Sequence, residues 1–285
     1  MAIAVVFVGL VCVKPRSFAA ESRLLTYTVT DGKACITGTT GTITGDFTVP
    51  AEIDGYPVVE IGNYAFYSGE NKHRIENFTI SEGIIKVGDS IVPNQMVALK
   101  NIHIPSTLTQ ISEFSFNRSD NVESFTVNKN NPLFYADSSG VLFKRGEIEG
   151  QDILFSYPCA RPSNYYIVPD YVYKIGDYAA RYARVKHIFL SKNTKIIGKG
   201  AFEYSKIEEI DFGGTEQIGV SSFSSCNGLT QISLPGSVTI KAEITNLDGT
   251  TVTAEKKLTC TMTFWQRVVA FFKGLFGKTK NIYFA

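Results

Sequence analysis

The side chains best suited to acid–base chemistry near neutral pH are three histidines: His73, His103 and His187. The imidazole pKa lies close to physiological pH, so a histidine paired with a serine or cysteine nucleophile would indicate a hydrolase. None of the three belongs to a recognisable nucleophile motif. His103 and His187 occupy outward positions of strand-like segments and His73 lies in a loop, so we expect no catalytic residues among them.

An acidic run formed by Glu208, Glu209 and Asp211 is the second candidate for chemistry. Neighbouring carboxylates can hold a cation, or they can act as the acid and base of a glycoside hydrolase. The alternative interpretation is a solvated acidic strand face, which is the commoner role of such clusters. A phosphate-binding loop at residues 277–279 is excluded, because Phe272 stands where that motif needs a glycine.

Four cysteines lie outside the apolar start of the chain: Cys35, Cys159, Cys226 and Cys260. They form no CxxC pair and no histidines cluster near them, so neither a zinc site nor a dense disulfide framework is indicated. Isolated buried thiols are favoured over a disulfide bridge. No metal and no cofactor are therefore expected.

The composition points to a folded, exported protein. With 285 residues, 44% of them hydrophobic, the chain can build a continuous core, and its formal net charge of +1 argues against nucleic-acid binding. The apolar run of residues 1–13 is followed by small residues that predict a signal peptide over residues 1–19, cleaved after Ala19. The run is shorter than the roughly 20 residues of a membrane span. We expect a secreted or cell-surface protein.

An internal repeat with three anchors is the strongest signal in the sequence. The first anchor is an apolar residue followed by glycine: Ile61-Gly62, Val87-Gly88, Ile175-Gly176, Ile197-Gly198 and Ile218-Gly219, with Ile111-Ser112 as a degenerate copy. The second anchor stands four residues later: Phe66, Val92, Phe116, Ala180, Phe202 and Phe223. The third is a strand-like segment with the pattern apolar-x-x-apolar-x-apolar, beginning at Ile75, Leu99, Val122, Val185, Ile207 and Leu229.

This period predicts a mainly β solenoid over residues 56–236. A unit of 21 to 26 residues cannot bury its own apolar face, so the anchors of successive coils must stack into one long core. The first, fourth and sixth residues of each strand segment should point inward. The motifs of residues 99–105 with Gln110-Ile111, and of residues 195–202, resemble the BspA-like leucine-rich repeats of bacterial and some protozoan surface proteins. The resemblance, over roughly residues 47–235, implies a cell-surface interaction role without catalytic residues.

The outward positions of the strands are the candidate ligand-binding face. The residue between the last two anchors should collect into one column: Thr79, His103, Thr126, Phe189, Asp211 and Ser233. A second column should stack beside it: Asn77, Asn101, Ser124, His187, Glu209 and Gln231. Phe189 is the aromatic exception, predicted to be exposed. It is either a binding hot spot or a contact of the neighbouring insert.

Three further segments flank or interrupt the repeat. Residues 20–55 predict N-terminal capping strands with a turn at Asp31-Gly32. The register breaks at about residues 128–164, where residues 141–143 and 153–155 predict a hairpin that either protrudes from one coil or lengthens it. This insert is interpreted as a tolerated insertion or as a contact loop. Residues 237–263 alternate around Asp248-Gly249 and predict a β-hairpin that caps the solenoid or begins a separate module.

The last segment, residues 264–285, is different in kind. Its apolar residues recur at helical spacing: Trp265, Val268, Val269, Phe272, Leu275 and Phe276. Residues 256–285 contain six Lys or Arg and no acid. The pattern predicts an amphipathic basic helix that either packs on the end of the solenoid or makes peripheral contact with a membrane or envelope surface.

Two functions of different class follow from these patterns. The favoured one is an exported or cell-surface scaffold that recognises an unknown extracellular protein or glycan without catalysis. The alternative is an exported hydrolase or carbohydrate-processing accessory that uses the acidic strand face. The depth of the binding site distinguishes the two functions, because an enzyme needs a concave pocket whereas a solenoid offers an open sheet.

Overall fold

A computed structural model describes residues 23–67, 73–92, 96–116, 120–233, 237–245 and 251–259. All regular elements within these ranges are β-strands, arranged as a solenoid of stacked coils, so the predicted fold class is confirmed. No helix in the described ranges is long and apolar enough to cross a membrane. The predicted leader, the predicted tail helix and Cys260 lie outside the described residues.

The first half of the solenoid contains ten strands in two sheets. One sheet has the order β1-β2-β5-β7-β9 with β4 paired to β5, and the other has the order β10-β8-β6-β3. The strands are β1 (Leu25–Thr30), β2 (Lys33–Thr39), β3 (Thr44–Val49), β4 (Glu52–Ile53), β5 (Tyr56–Ile61), β6 (Arg74–Ile80), β7 (Lys86–Val87), β8 (Asn101–Ile104), β9 (Gln110–Ile111) and β10 (Ser124–Val127). β3 pairs in parallel with β6, so a coil strand already lies within the predicted cap region of residues 20–55.

The second half repeats this arrangement. One sheet has the order β11-β12-β13-β15-β17-β19, and the other has the order β14-β16-β18-β20. The strands are β11 (Phe134–Ala136), β12 (Leu142–Lys144), β13 (Asp152–Ser156), β14 (Tyr165–Ile167), β15 (Val172–Ile175), β16 (His187–Phe189), β17 (Ile196–Ile197), β18 (Glu209–Asp211), β19 (Gln217–Ile218) and β20 (Gln231–Ser233). A separate antiparallel pair follows, β21 (Ser237–Thr245) and β22 (Thr251–Thr259).

Stacked anchors form the core, as the strand pattern predicts. Phe78, Ile102 and Phe125 are buried in neighbouring strands of the first half, and Ile188 and Ile210 are buried in the second. Successive coils approach closely at the glycine anchors. A Cβ on Gly88 would lie 2.8 Å from the backbone nitrogen of Asn63. Only glycine tolerates that approach, which explains the apolar-glycine pair of the repeat.

The coils are also joined at their tight corners. Tyr178 and Tyr182 have φ values of 57° and 61°, so alternate amides of this corner point along the solenoid axis. Each donates to a carbonyl of the next coil: Tyr178 to Lys199 (2.8 Å), Ala180 to Ala201 (2.7 Å) and Tyr182 to Glu203 (3.0 Å). The left-handed conformations are thus compensated by backbone hydrogen bonds between coils.

The insert lengthens the solenoid and does not protrude from it. β12 and β13 pair antiparallel, and β13 then pairs in parallel with β15, so the hairpin is part of the second sheet. Leu142 packs in the core of the first half, whereas Val141 and Phe143 pack in the core of the second. The chain crosses from one core to the other at this point.

Candidate recognition face

The first outward face is formed by β3, β6, β8 and β10. In-register pairing stacks Asn77, Asn101 and Ser124 in one column. The adjacent column consists of Thr79, His103 and Thr126, again in register. β3 extends both columns by Asp46 and Thr48, which the repeat pattern did not include.

Hydrogen bonds between side chains run along this first face. The Asn77 amide donates to the Asp46 carboxylate at 2.5 Å, and the Asn101 amide donates to Asn77 Oδ1 at 2.7 Å. The Ser124 hydroxyl donates to Asn101 Oδ1 at 2.7 Å, and His103 Nδ1 lies 3.0 Å from Thr126 Oγ1. Because these groups satisfy one another, the face stabilises the stacking of its own coils.

The second outward face is formed by β14, β16, β18 and β20. Its columns contain His187, Glu209 and Gln231, and beside them Phe189, Asp211 and Ser233. β14 adds Tyr165 next to His187 and Ile167 next to Phe189. Tyr165 and Ile167 are 59% and 65% exposed, so the most exposed apolar side chains of this face stand on β14.

Two expectations about this face need correction. The predicted columns are not continuous, because Thr126 and Phe189 lie in different sheets and Ile167 is the neighbour of Phe189. Phe189 is half-buried and not fully exposed. β14 was missed because residues 128–164 break the period. Its strand segment, Tyr166-Ile167-Val168-Pro169, nevertheless has the same apolar-x-apolar-Pro form as Ile102-His103-Ile104-Pro105.

The acidic run lies on the second face, and each of its carboxylates has a partner. Glu208 forms an ion pair with Lys186 at 2.8 Å, and the hydrogen bond from Lys186 lowers the pKa of Glu208. Glu209 lies 3.2 Å from His187 Nδ1, and Asp211 accepts the Gly213 amide at 2.9 Å. Within the described ranges, no group of His, Cys, Asp and Glu side chains could hold a metal ion.

The remaining histidine and the cysteines have structural environments. His73 is fully buried, and burial lowers its pKa. Burial raises the pKa of Cys159 to about 12, and its thiol donates to the Arg181 carbonyl at 3.2 Å. Cys35 and Cys226 are half-buried free thiols whose pKa is also raised by burial. The expectation of isolated buried thiols therefore holds fully for Cys159 and partly for these two.

A narrow crevice lies at the junction of the two halves. Glu113, Tyr157, Cys159, Tyr178 and Arg181 are among its lining residues. Its free space accommodates about one water molecule, which is far less than a substrate pocket needs. The Phe114 ring packs on Tyr178 with 4.6 Å between centroids, so aromatic contact closes this junction.

Comparison with known proteins identifies the repeat. Residues 52–138 and 153–259 match a family model described as the BspA type leucine rich repeat region, in six copies. No curated protein matches the chain.

Three solved structures resemble the chain. A leucine-rich repeat protein from Eubacterium ventriosum has 19% identity and a TM-score of 0.44, covering 75% of this chain and 71% of its own. A leucine rich cell surface protein from Faecalibacterium prausnitzii has 16% identity and a TM-score of 0.35, covering 75% and 93%. The pneumococcal vaccine antigen PcpA has 13% identity and a TM-score of 0.39, covering 75% and 80%. Because the repeat model matches more than half of the sequence, the chain belongs to the BspA-type leucine-rich-repeat family.

Proposed function

We propose that this protein is an exported or cell-surface scaffold that recognises an extracellular protein or glycan through the second outward face, without catalysis. The observation that carries the proposal is the pair of exposed side chains Tyr165 and Ile167 on a regular sheet. A few apolar or aromatic anchors usually dominate the energy of an interface. Anchors held on strands are positioned more rigidly than anchors on loops.

The surroundings of these anchors support recognition better than catalysis. His187 lies next to Tyr165, and Glu209 and Gln231 continue that column across the face as hydrogen-bonding groups. Glu208 and Glu209 are engaged with Lys186 and His187, so the acidic run serves this surface as charged groups of an open face. The second face therefore combines an apolar end on the edge strand β14 with polar side chains on the strands beside it, and binding surfaces use both kinds of group.

A binding screen tests this proposal. The mature protein would be screened against host matrix proteins, mucins and bacterial surface polysaccharides. We expect the double variant Tyr165→Ser/Ile167→Ser to lose binding to the partner found, with unchanged thermal stability. Phe189→Ala and Asp211→Ala, made separately, should each weaken it.

The matched control is Asn101→Ala on the first face, whose side chain bonds to its neighbours in the ladder. This variant should retain binding. Full binding by the Tyr165→Ser/Ile167→Ser variant would contradict the proposal. The insert or the tail would then be the next candidate for the binding site.

Export is a further part of the proposal, and envelope contact of the tail is the alternative to its packing on the solenoid. The predicted leader supports export, and N-terminal sequencing of secreted material should find a chain that begins at Ala20. If the basic tail makes a peripheral contact with an envelope, deletion of residues 264–285 should release the protein into the soluble fraction with its circular dichroism unchanged. Retention of Met1, or of envelope binding after the deletion, would contradict these assignments.

A further inference from the structure

We propose that the second outward face is a docking surface for the chain's own tail, residues 264–276. The docking does not depend on the recognition role. Its regulatory consequence, that the tail competes with an external partner for the same face, rests on the function proposed above. The inference is carried by three properties of the face and its attachment: an apolar end, an acidic centre and the point at which the chain leaves the hairpin.

The apolar end of the face is the strand β14. Tyr165 and Ile167 are both more than half exposed, and the half-buried Phe189 lies beside Ile167 on the next strand. The columns of the first face contain only Asp, Asn, Ser, Thr and His side chains at the corresponding positions. Neighbouring exposed apolar side chains of this kind are typical of interaction sites.

The acidic centre of the face lies at β18, two strands from β14. Three carboxylates, those of Glu208, Glu209 and Asp211, are accompanied by one lysine and one imidazole, those of Lys186 and His187. Among these five side chains, the acidic groups outnumber the basic ones. A segment that complements both parts of the face must combine apolar residues with basic ones, and must contain few acids.

The tail has this composition. Its apolar residues are Trp265, Val268, Val269, Phe272, Leu275 and Phe276, its basic residues include Arg267 and Lys273, and residues 256–285 contain no acid. The β21–β22 register pairs Ser237 with Thr259, so the chain returns to the base of the hairpin before the tail begins. Ser237 is only four residues from Ser233 at the end of β20. β21 also contacts β19 of the other sheet, so the chain reaches Thr259 at the last-coil end of the solenoid.

The width of the second face and the order of residues in the tail are also compatible with this docking. The distance from β20 to β14 is three strand spacings, about 14 Å, and a helix of the predicted length would span about 20 Å. A helix entering at β20 would bring Arg267 about 5 Å along its axis, which is the position of β18 and its carboxylates. Phe272 and Phe276 would lie about 12 to 18 Å along it, over Tyr165 and Ile167.

The test uses the full mature chain, because Trp265 is its only tryptophan and reports on the tail alone. Trp265 should be shielded from acrylamide in the wild-type protein. In the Tyr165→Ser/Ile167→Ser variant, we expect its emission to shift to longer wavelength and its quenching to increase. The matched control is Tyr64→Ser/Val97→Ser, which removes two side chains of similar exposure, 56% and 57%, from the first half and should change neither property. Circular dichroism verifies that both variants are folded.

The charged contact gives a second readout. Arg267→Glu should increase quenching of Trp265, and moderate salt should do the same in the wild-type protein, because screening weakens attraction between exposed charges. Equal quenching of Trp265 in the wild-type protein and in all variants would overturn the proposal.

Two other occupants would be recognised in the same experiment. Shielding that disappears on dilution would show that the tail binds a second copy of the chain, which overturns the intramolecular contact. Shielding that appears only with phosphatidylglycerol vesicles would show that the tail binds a lipid surface instead. The partner screen is unaffected by either outcome, so failure of the docking and failure of the proposed recognition are distinguishable.

Discussion

His73 is a residue whose burial couples folding to pH. Its Nδ1 atom accepts the Ile43 amide at 3.1 Å, and Nε2 lies 3.3 Å from Thr39 Oγ1. A proton on Nδ1 would oppose the Ile43 N–H, and burial already lowers the His73 pKa. The unfolded chain therefore binds a proton near about pH 6.5 that the folded protein rejects. Folding stability should fall as the pH drops through that value.

The prediction is a loss of up to about 1.4 kcal/mol of unfolding free energy per pH unit between about pH 6.5 and the lowered folded-state pKa. Urea unfolding at a series of pH values measures it. His73→Gln should reduce this slope, whereas His103→Gln, on the outward face, should keep it. A slope that is the same in wild type and His73→Gln would assign the pH dependence to other groups.

Asn131 is a buried residue that connects two coils. Its amide donates to the carbonyls of Pro105 and Leu108 at 2.7 and 2.9 Å, and its Oδ1 accepts the amides of Leu133 and Phe134 at 3.0 and 2.7 Å. We expect Asn131→Ala to destabilise the protein by about 2 to 4 kcal/mol, because buried backbone groups lose their partner. Chemical denaturation measures the change.

The control for Asn131 is its neighbour Asn130, which is exposed. Asn130→Ala removes the same chemical group and should change stability by less than about 0.5 kcal/mol. Similar losses in the two variants would show that the hydrogen bonds of Asn131 are not the cause.

At the level of the elements, stability depends on the inward anchors of the strands. Ile102 and Ile210 are fully buried, each between strands of neighbouring coils. Changing either to Ala should cost about 2 to 5 kcal/mol, because the cavity removes contacts with both neighbouring coils. Ile85→Ala, at a position that is 44% exposed, should cost much less. Equal losses at exposed and buried positions in denaturant unfolding would refute the assigned register.

At the level of the whole molecule, the turn at residues 137–141 joins the two cores. Gly140 has a φ of +74°, and a Cβ there would lie 2.9 Å from the Ser124 Cα atom of β10. Its carbonyl also accepts the Phe125 amide at 2.9 Å, which ends the first outward face. The turn thus bonds to β10, the edge strand of the first outward face.

Gly140→Ala should therefore destabilise the protein by more than the conformational penalty alone. Gly150 provides the comparison, because its φ is +76° and a Cβ there would meet no atom within 4 Å. Gly150→Ala should cost about 1 to 2 kcal/mol, the penalty of a left-handed residue. The destabilisation caused by Gly140→Ala should be larger, because β10 must also be displaced. Thermal unfolding of the two variants measures the difference. Equal losses would mean that the junction adapts freely.

The division into two cores also separates two outward faces of different chemistry. On the first face, Asn77, Asn101 and Ser124 are bonded to one another. On the second, Tyr165 and Ile167 remain exposed beside charged groups. One repeat pattern has thus produced one face whose polar side chains bond to one another and a second face with exposed apolar side chains.

The sequence by itself determined the architecture and the orientation of its side chains. Apolar residues such as Ile102 and Ile210 recur at a period that only stacked coils can bury, and alternation along a strand places His103 and Asp211 outward. The period of the anchors and the alternation along a strand are local properties, so they can be predicted from composition and spacing. The cap turn at Asp31-Gly32 was predicted for the same reason, and both residues have positive φ.

Only the tertiary structure decided which strands become neighbours across the insert. Whether residues 128–164 protrude or enter a sheet depends on packing between distant segments, and that packing placed Ile167, not Thr126, beside Phe189. It also buried His73, although the sequence around it reads as a loop. Side-chain alternation is set by the local backbone, but the burial of a loop residue and the order of strands depend on contacts that no single repeat contains.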